Sequence, residues 1–267
     1  MTDTTGTAPV LLDVTENVAT ITLNRAEAMN SLDIATKESL RAVVEQVAAD
    51  DTVRAVVLTG TGRAFCVGQD LKEHVRLLGD DPASLFTTVD EHYNPIVTAL
   101  ATMPKPVIAA VNGVAAGAGA SLAFACDLRI LAEGAGFNLA FPGVALSCDT
   151  GVSWTLQRLV GRAKAIELLY LPSTLSTQES MDLGLGTRRV SPEELMEQTQ
   201  LLARRLAQGP TVAYASIRAS VNHAAEHSFT EALEFESAMM QRTGATEDHR
   251  AAVDAFLRKE RAVFHGR

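Results

Sequence analysis

Asp149 is the only acidic residue in the run Leu146-Ser147-Cys148-Asp149-Thr150-Gly151-Val152-Ser153-Trp154. A single carboxylate can take a proton from carbon and return it elsewhere, provided another group holds the charge left on the substrate. Aspartate ahead of a helix-like run also serves as an Asx turn or N-cap, and on residue type alone that is its commoner use. Two further segments could hold such a charge: Gly62-Arg63-Ala64-Phe65-Cys66-Val67-Gly68-Gln69-Asp70-Leu71-Lys72 and Asn112-Gly113-Val114-Ala115-Ala116-Gly117-Ala118-Gly119-Ala120. Both follow strand-like runs, and their glycines and alanines let an oxygen approach main-chain N–H groups closely. The second also opens a helix, whose N-terminal end favours negative charge. Together they could form an oxyanion hole, although Gly-X-Gly turns before helices also serve packing alone. The spacing is not G-x-G-x-x-G and no Walker lysine follows Gly119, so nucleotide phosphate-loop readings fail.

A competing pattern is His223-Ala224-Ala225-Glu226-His227, which fits the H-x-x-E-H zinc-peptidase signature with both histidines on one helix face. No third ligand is apparent, and two surface histidines beside Glu226 are the plainer reading. Cys66, Cys126 and Cys148 are widely spaced with no C-x-x-C, which argues against a disulfide framework and a thiolate metal site. A net charge of -9 disfavours a nucleic-acid partner. No basic-then-apolar leader opens the chain and no long uncharged apolar window occurs, so the expectation is a cytoplasmic protein with no membrane partner.

These groups must be positioned by one sizeable core, since the 267 residues contain no repeat and no long linker. Val10–Asp13 and Val18–Leu23 read as a hairpin around Glu16-Asn17. Leu40, Val43, Val44 and Val47 recur at helical spacing after Ser31-Leu32-Asp33. Arg54–Gly60, Val107–Gly113 and Asp127–Ala132 read as buried strands, and Gly117–Ala125 and Gly161–Tyr170 as helices. The alternation predicts an α/β fold with a largely parallel sheet covered by helices. After residue 190 the pattern becomes all-helical, over 192–208, 211–227, 230–242 and 247–259, with Ser191, Ser228 and Thr246 as possible N-caps. We therefore divide the chain into an α/β core, residues 1–190, and a helical region, 191–267, suited to subunit packing.

Five ordered motifs span nearly the whole chain: Leu23-Asn24-Arg25, Ala64–Leu71, Lys105–Gly113, Cys126-Asp127-Leu128-Arg129 and Leu159–Ala163. In this order they resemble the enoyl-CoA hydratase/isomerase (crotonase) superfamily. The resemblance implies a ClpP-like spiral of ββα units, a C-terminal helical trimerisation region, acyl-CoA substrates and a homotrimer or dimer of trimers. It implies that the N–H groups of Gln69 and Ala118 hold the thioester oxygen, with coenzyme A entering as part of the substrate and neither a separate cofactor nor a metal. CoA and acyl contacts fall by the same resemblance on Arg25, Val67, Gly68, Asp70, Leu71, Lys72, Gly113, Gly117 and Phe141, with Phe256 and Lys259 reaching a neighbouring subunit's nucleotide.

Where the hydratase branch carries two catalytic glutamates, this chain has Ser121 and Phe141. Neither can activate water. Tyr93-Asn94-Pro95, Ala115–Ala120, Ala140-Phe141 and Asp149-Thr150-Gly151 instead look like the 2-(1,2-epoxy-1,2-dihydrophenyl)acetyl-CoA isomerase branch, which places its single catalytic aspartate at the Asp149 position. The expected activity is an isomerase of fatty or aromatic acid degradation that shifts a double bond or opens a ring epoxide. The alternatives are an enoyl-CoA hydratase, a non-catalytic acyl-CoA binder and, remotely, the zinc peptidase. Phe141, Leu146 and Trp154 are expected to line a pocket that raises the Asp149 pKa. Residues 74–100 are expected to shape the acyl site, where His92 and Tyr93 could add polar contacts, an ordinary surface role being the commoner reading.

Overall fold

The computed structural model describes residues 8–80 and 85–267. Val10–Thr15 (β1) and Val18–Leu23 (β2) form the antiparallel hairpin, turned by Glu16 and Asn17, both left-handed. Ile34–Ala49 (α1) follows, capped by Asp33, whose carboxylate accepts the Thr36 N–H at 2.8 Å. Three turns of one unit come next. Ala55–Gly60 (β3) leads to the short strand Ala64–Cys66 (β4) and then Leu71–Asp80 (α2). A π-helical turn, Val89–Tyr93, runs into Asn94–Thr102 (α3). Val107–Val111 (β5) leads to Val114–Ala116 (β6) and Ala118–Ala125 (α4). Leu128–Ala132 (β7) leads to Gly136–Asn138 (β8), a 3-10 turn at Phe141–Val144, and Val152–Val160 (α5). Arg162–Tyr170 (α6), Thr177–Asp182 (α7) and Arg188–Val190 (β9) close the core.

The long strands form one sheet in the order β1-β2-β3-β5-β7-β9, parallel except for the hairpin, and the short ones a second sheet, β4-β6-β8. Each turn of the chain contributes one strand to each sheet, which is the expected ββα spiral. β5 is buried along its full length, with the helix Leu195–Ala207 and the short strand β4 packed against it. The three-residue strands are too short to carry a period and escape sequence reading, as do α7 and β9.

Leu195–Ala207 (α8), Thr211–Ala224 (α9), Phe229–Gly244 (α10) and Glu247–Arg258 (α11) make up the helical end. Ser228 and Thr246 cap their helices as expected, Ser228 in a capping box with Glu231. Ser191 does not cap α8. Its hydroxyl bonds Glu194 in a separate turn, because residues 192–194 turn before the helix begins. α8 itself lies on the six-stranded sheet, with Leu195, Ala203 and Ala207 in the hydrophobic core. α9 is fastened by Arg218, which donates to Leu100 O at 2.7 Å and Met103 O at 2.7 Å and pairs with Asp127 at 2.7 Å. No helix among the described residues is long and apolar enough to cross a membrane.

Arg129 is the core's polar anchor. Buried on β7, it donates to Leu185 O at 2.7 Å, Cys126 O at 2.6 Å and Ala123 O at 3.4 Å, joining the end of α4 to the approach to β9. An apolar side chain there strands buried carbonyls, so Arg129→Met lowers unfolding stability by on the order of 3 kcal/mol. The measurement is a urea titration, in which the midpoint falls and the slope stays constant.

Candidate active site

The site begins where β4 and β6 end side by side. After Cys66 the chain passes through Gly68, which is left-handed, into a parallel bridge between Gln69 and Leu32. Leu32 donates to Gly68 O at 2.8 Å and receives Asp70 N–H at 3.1 Å. In such a bridge the central residue's own N–H points away from the partner, so the Gln69 N–H faces the opposite side, where α4 begins. A Cβ on Gly68 would stand 3.2 Å from Ala118 N, so the two N–H segments are in direct contact. Ala118 opens α4, and its N–H has no acceptor within the helix. Glycine at 119 is required for the approach, since a Cβ there would collide with the Cys66 carbonyl. Open space lies where a Gly117 Cβ would be, leaving the main chain approachable. Gly113 by contrast serves packing, its missing side chain making room for the Arg63 carbonyl. Burial pushes the Cys66 thiol up to about 12, so it stands beneath the site as a neutral group.

Asp149 enters from the other side. The 3-10 turn at Phe141–Val144 and the left-handed pair Thr150 and Gly151 reverse the chain before α5, and Gly151 packs against Val97 of α3, one turn beyond Tyr93. Burial raises the Asp149 carboxyl pKa, partly countered by the Thr150 hydroxyl, which donates to Oδ1 at 2.9 Å. The capping alternative is not what the structure shows. Gly151 occupies the N-cap position, and Val152 N–H bonds the Asp149 main-chain oxygen rather than its carboxylate. The Tyr93 hydroxyl pKa is raised by burial and then by the charge of Asp149.

Several expected side chains fall differently. Tyr93 is not a surface residue: it is 2% exposed, and its hydroxyl donates to Gln69 Oε1 at 2.6 Å. The register of the π-helical turn directs it inward, while half-buried His92 bonds Thr88 at 3.1 Å. Trp154 does not line the Asp149 pocket. Its indole donates to Glu226 at 3.1 Å and stacks under Arg158 at 3.8 Å, at the junction of α5 with the end of α9. Phe141 is buried, whereas Leu146 is exposed at the rim. Ser121 is fully buried and spends its hydroxyl on Gly117 O at 3.1 Å.

Arg25 and Asp70 are bound to each other. Arg25 donates to Asp70 Oδ2 at 3.2 Å and to Ser31 O at 2.6 Å, and pairs with Asp33 at 3.1 Å. Asp70 also receives the Lys72 and Glu73 N–H groups at the start of α2. Desolvation works against its charge, but hydrogen bonds from Ser31, the Glu73 N–H and Arg25 outweigh it and hold the carboxyl below its usual value. Half-buried Val67 precedes these residues, and exposed Leu71 and Lys72 follow them. Phe256, 80% exposed, lies on the last helix, whose main neighbour is α10, and Lys259 is the left-handed residue that caps its C-terminal end. His223 and His227 stack face to face at 3.7 Å, so their nitrogens do not converge, and Glu226 is taken up by Trp154.

One feature escaped the sequence reading. Lys37, 1% exposed on α1, donates to Gln69 Oε1 at 3.2 Å and Thr88 at 2.8 Å, and pairs with Glu73 at 3.6 Å. Its signal was present: position 37 falls three residues before Leu40, on the apolar stripe of α1.

Comparison with known proteins agrees with this architecture. The family model for enoyl-CoA hydratase/isomerase matches residues 13–267. The 1,2-epoxyphenylacetyl-CoA isomerase of Escherichia coli K12 is 41% identical over 97% of this chain and 98% of its own length. The short-chain-enoyl-CoA hydratase of Clostridium acetobutylicum is 31% identical over 94% of this chain and 95% of its own. Among solved structures, an enoyl-CoA hydratase/isomerase-family protein from Mycobacterium abscessus superposes with a TM-score of 0.93 at 40% identity, covering 97% of this chain and all of that one. With its spiral of ββα turns, paired N–H segments and helical C-terminal end, the chain belongs to the enoyl-CoA hydratase/isomerase family, whose crotonase fold and acyl-CoA chemistry it shares.

Proposed function

We propose that the protein is an acyl-CoA isomerase that moves a proton with one carboxylate. The observation that carries this reading is half-buried Asp149, on the loop that packs through Gly151 against Val97 of α3, in a chain whose other expected catalytic positions hold Ser121 and Phe141. The thioester oxygen accepts the N–H groups of Gln69 and Ala118. Asp149 takes a proton from the acyl chain, the C–H electron pair passes into the thioester as an enolate, and the carboxylic acid returns the proton at another carbon. A double bond shifts by this route with no change in composition, and a ring epoxide opens when the enolate's electron pair expels one epoxide C–O bond and the carboxylic acid gives its proton to the alkoxide oxygen so formed. Each aligned N–H is worth roughly 10² to 10³ in rate. The chemistry asks for no cofactor beyond the CoA carried by the substrate.

In this reading Arg25 and residues 67–72 flank the CoA, and Phe256 and Lys259 serve a neighbouring protomer. Exposed apolar side chains such as Phe229, Met240 and Leu257 support subunit packing of residues 191–267 in a homotrimer or dimer of trimers. Hydration needs separate acid and base groups, each worth roughly 10² to 10⁴, and no second carboxylate stands at positions 121 and 141. A panel of aromatic and linear enoyl-CoAs in deuterated water tests the reading. Deuterium incorporation with double-bond migration or ring opening is expected, and hydration slower by at least about 10². Hydration as the fastest reaction would establish the hydratase, and binding without exchange the inert binder.

A further inference from the structure

We propose that Lys37 and Tyr93 are positioning residues that fix the Gln69 N–H at the angle the oxyanion requires. This rests on the oxyanion reading of Gln69 given above. The Gln69 side chain is held at both ends of its amide. Oε1 accepts the Tyr93 hydroxyl at 2.6 Å and the Lys37 ammonium at 3.2 Å, and Nε2 faces Glu73 Oε1 at 3.4 Å. The holders come from three directions: Lys37 from α1, Glu73 from α2 and Tyr93 from the end of the π-helical turn. They are themselves fixed. Glu73 Oε2 accepts the Ile34 N–H at 3.0 Å, Lys37 bonds Thr88 at 2.8 Å, and the ammonium lies 5.5 Å from the Tyr93 ring centroid.

Such an arrangement is expensive in free energy. Removing an ammonium and a carboxylate from water costs several kcal/mol per ion, and an apolar side chain of similar length would fill the same space. The geometry explains what the charge accomplishes. Gly68 is left-handed and has no side chain to resist rotation, and among the described residues the Leu32 bridge is the main-chain restraint on the next peptide group. Anchoring the Gln69 amide supplies a second fixed point. The same bond ties the Gln69 loop to the π-helical turn, one helical turn before Val97, against which the Asp149 loop packs through Gly151.

Two variants test this. Lys37→Met removes one donor to Gln69 Oε1 with nearly the same length, and Tyr93→Phe removes the other with the same ring. Each is expected to lower kcat about tenfold, the scale of a displacement below 1 Å, with KM changed less than twofold. The second readout is binding of two probes to the whole enzyme. A nitroalkyl-CoA thioether, whose nitronate imitates the enolate, should bind about tenfold more weakly to each variant, while a saturated acyl-CoA binds as to wild type. The double variant should lose less than the product of the single losses, because both donors act on one oxygen. The melting temperature of Lys37→Met should fall, because Glu73 loses its buried ammonium partner, so the contrast between the two probes is what separates positioning from a structural role. Unchanged kcat and nitronate binding in both variants would overturn the proposal, as would equal losses for both probes. Absence of wild-type turnover on every enoyl-CoA would strike the isomerase reading instead, and the nitronate arm would still report on the N–H geometry.

Discussion

Asp149→Asn leaves acyl-CoA binding intact and lowers isomerisation by about 10² to 10⁴, the contribution of a positioned general base. Asparagine matches the shape of aspartate and can still accept the Thr150 hydroxyl, so the loop through Thr150 and Gly151 keeps its course. What disappears is the proton carrier. No carboxylate is present at positions 121 and 141 to replace it, so the loss is not masked by a parallel route. Single-turnover exchange in deuterated water checks this, and retention of wild-type exchange would remove Asp149 from the mechanism. The pH profile follows from burial, which raises the carboxyl pKa above its ordinary value of 3.8. The reactive form is the anion, so kcat/KM rises with pH through that elevated pKa and then levels off. The stability effect runs the opposite way. Between 3.8 and the raised value the folded protein holds a proton that the unfolded chain releases, so this group's contribution to stability declines as pH rises through the window. Asp149→Asn removes both features together, flattening the acidic limb of the rate profile and the matching decline in stability.

The legibility of this chain follows the length of its signals. α1 and the core strands β3, β5 and β7 were readable because each repeats an apolar period over several residues or runs wholly buried. β4, β6 and β8 were not, although they end at the residues that matter most: Cys66 just before Gly68, Ala116 just before Gly117, and Asn138, whose carbonyl receives the Gly117 N–H at 2.9 Å. Three residues cannot show an alternation, and their pairing is with strands about fifty residues away in the case of β4 and β6. At the site, Asp149 and the two glycine segments were visible as residue types, but their convergence was implied by family resemblance and not by spacing. The inward direction of Tyr93 is not legible in the sequence, because it depends on a π-helical register that no local pattern announces. Lys37 was overlooked because a lysine on an apolar stripe usually keeps its head in water, whereas here Glu73 and Gln69 meet it inside.

Gly68→Ala is expected to add backbone strain to a steric conflict at the point where the two N–H segments meet. The backbone there has φ of 82°, a region that alanine adopts only under strain of about 1 to 3 kcal/mol. The new Cβ would also stand 2.9 Å from Ala116 O and 3.2 Å from Ala118 N, which are main-chain atoms of β6 and α4 and cannot swing aside as a side chain would. The conflict can be relieved only by separating the Gln69 loop from the start of α4, and that separation pulls apart the two N–H groups that meet the thioester oxygen. Turnover should fall by at least about 10², the effect of losing one oxyanion donor, with an unfolding free energy lower by about 2 kcal/mol. Gly79→Ala is the matched control. A Cβ at that position has no neighbour within 4 Å, and alanine favours the helix, so stability should hold or rise and turnover should not change. Urea unfolding and steady-state isomerisation of both variants separate the two contributions. A Gly68→Ala enzyme with reduced stability and undiminished kcat would mean that the gap between Gln69 and Ala118 is packing space, and the thioester oxygen would have to be held elsewhere.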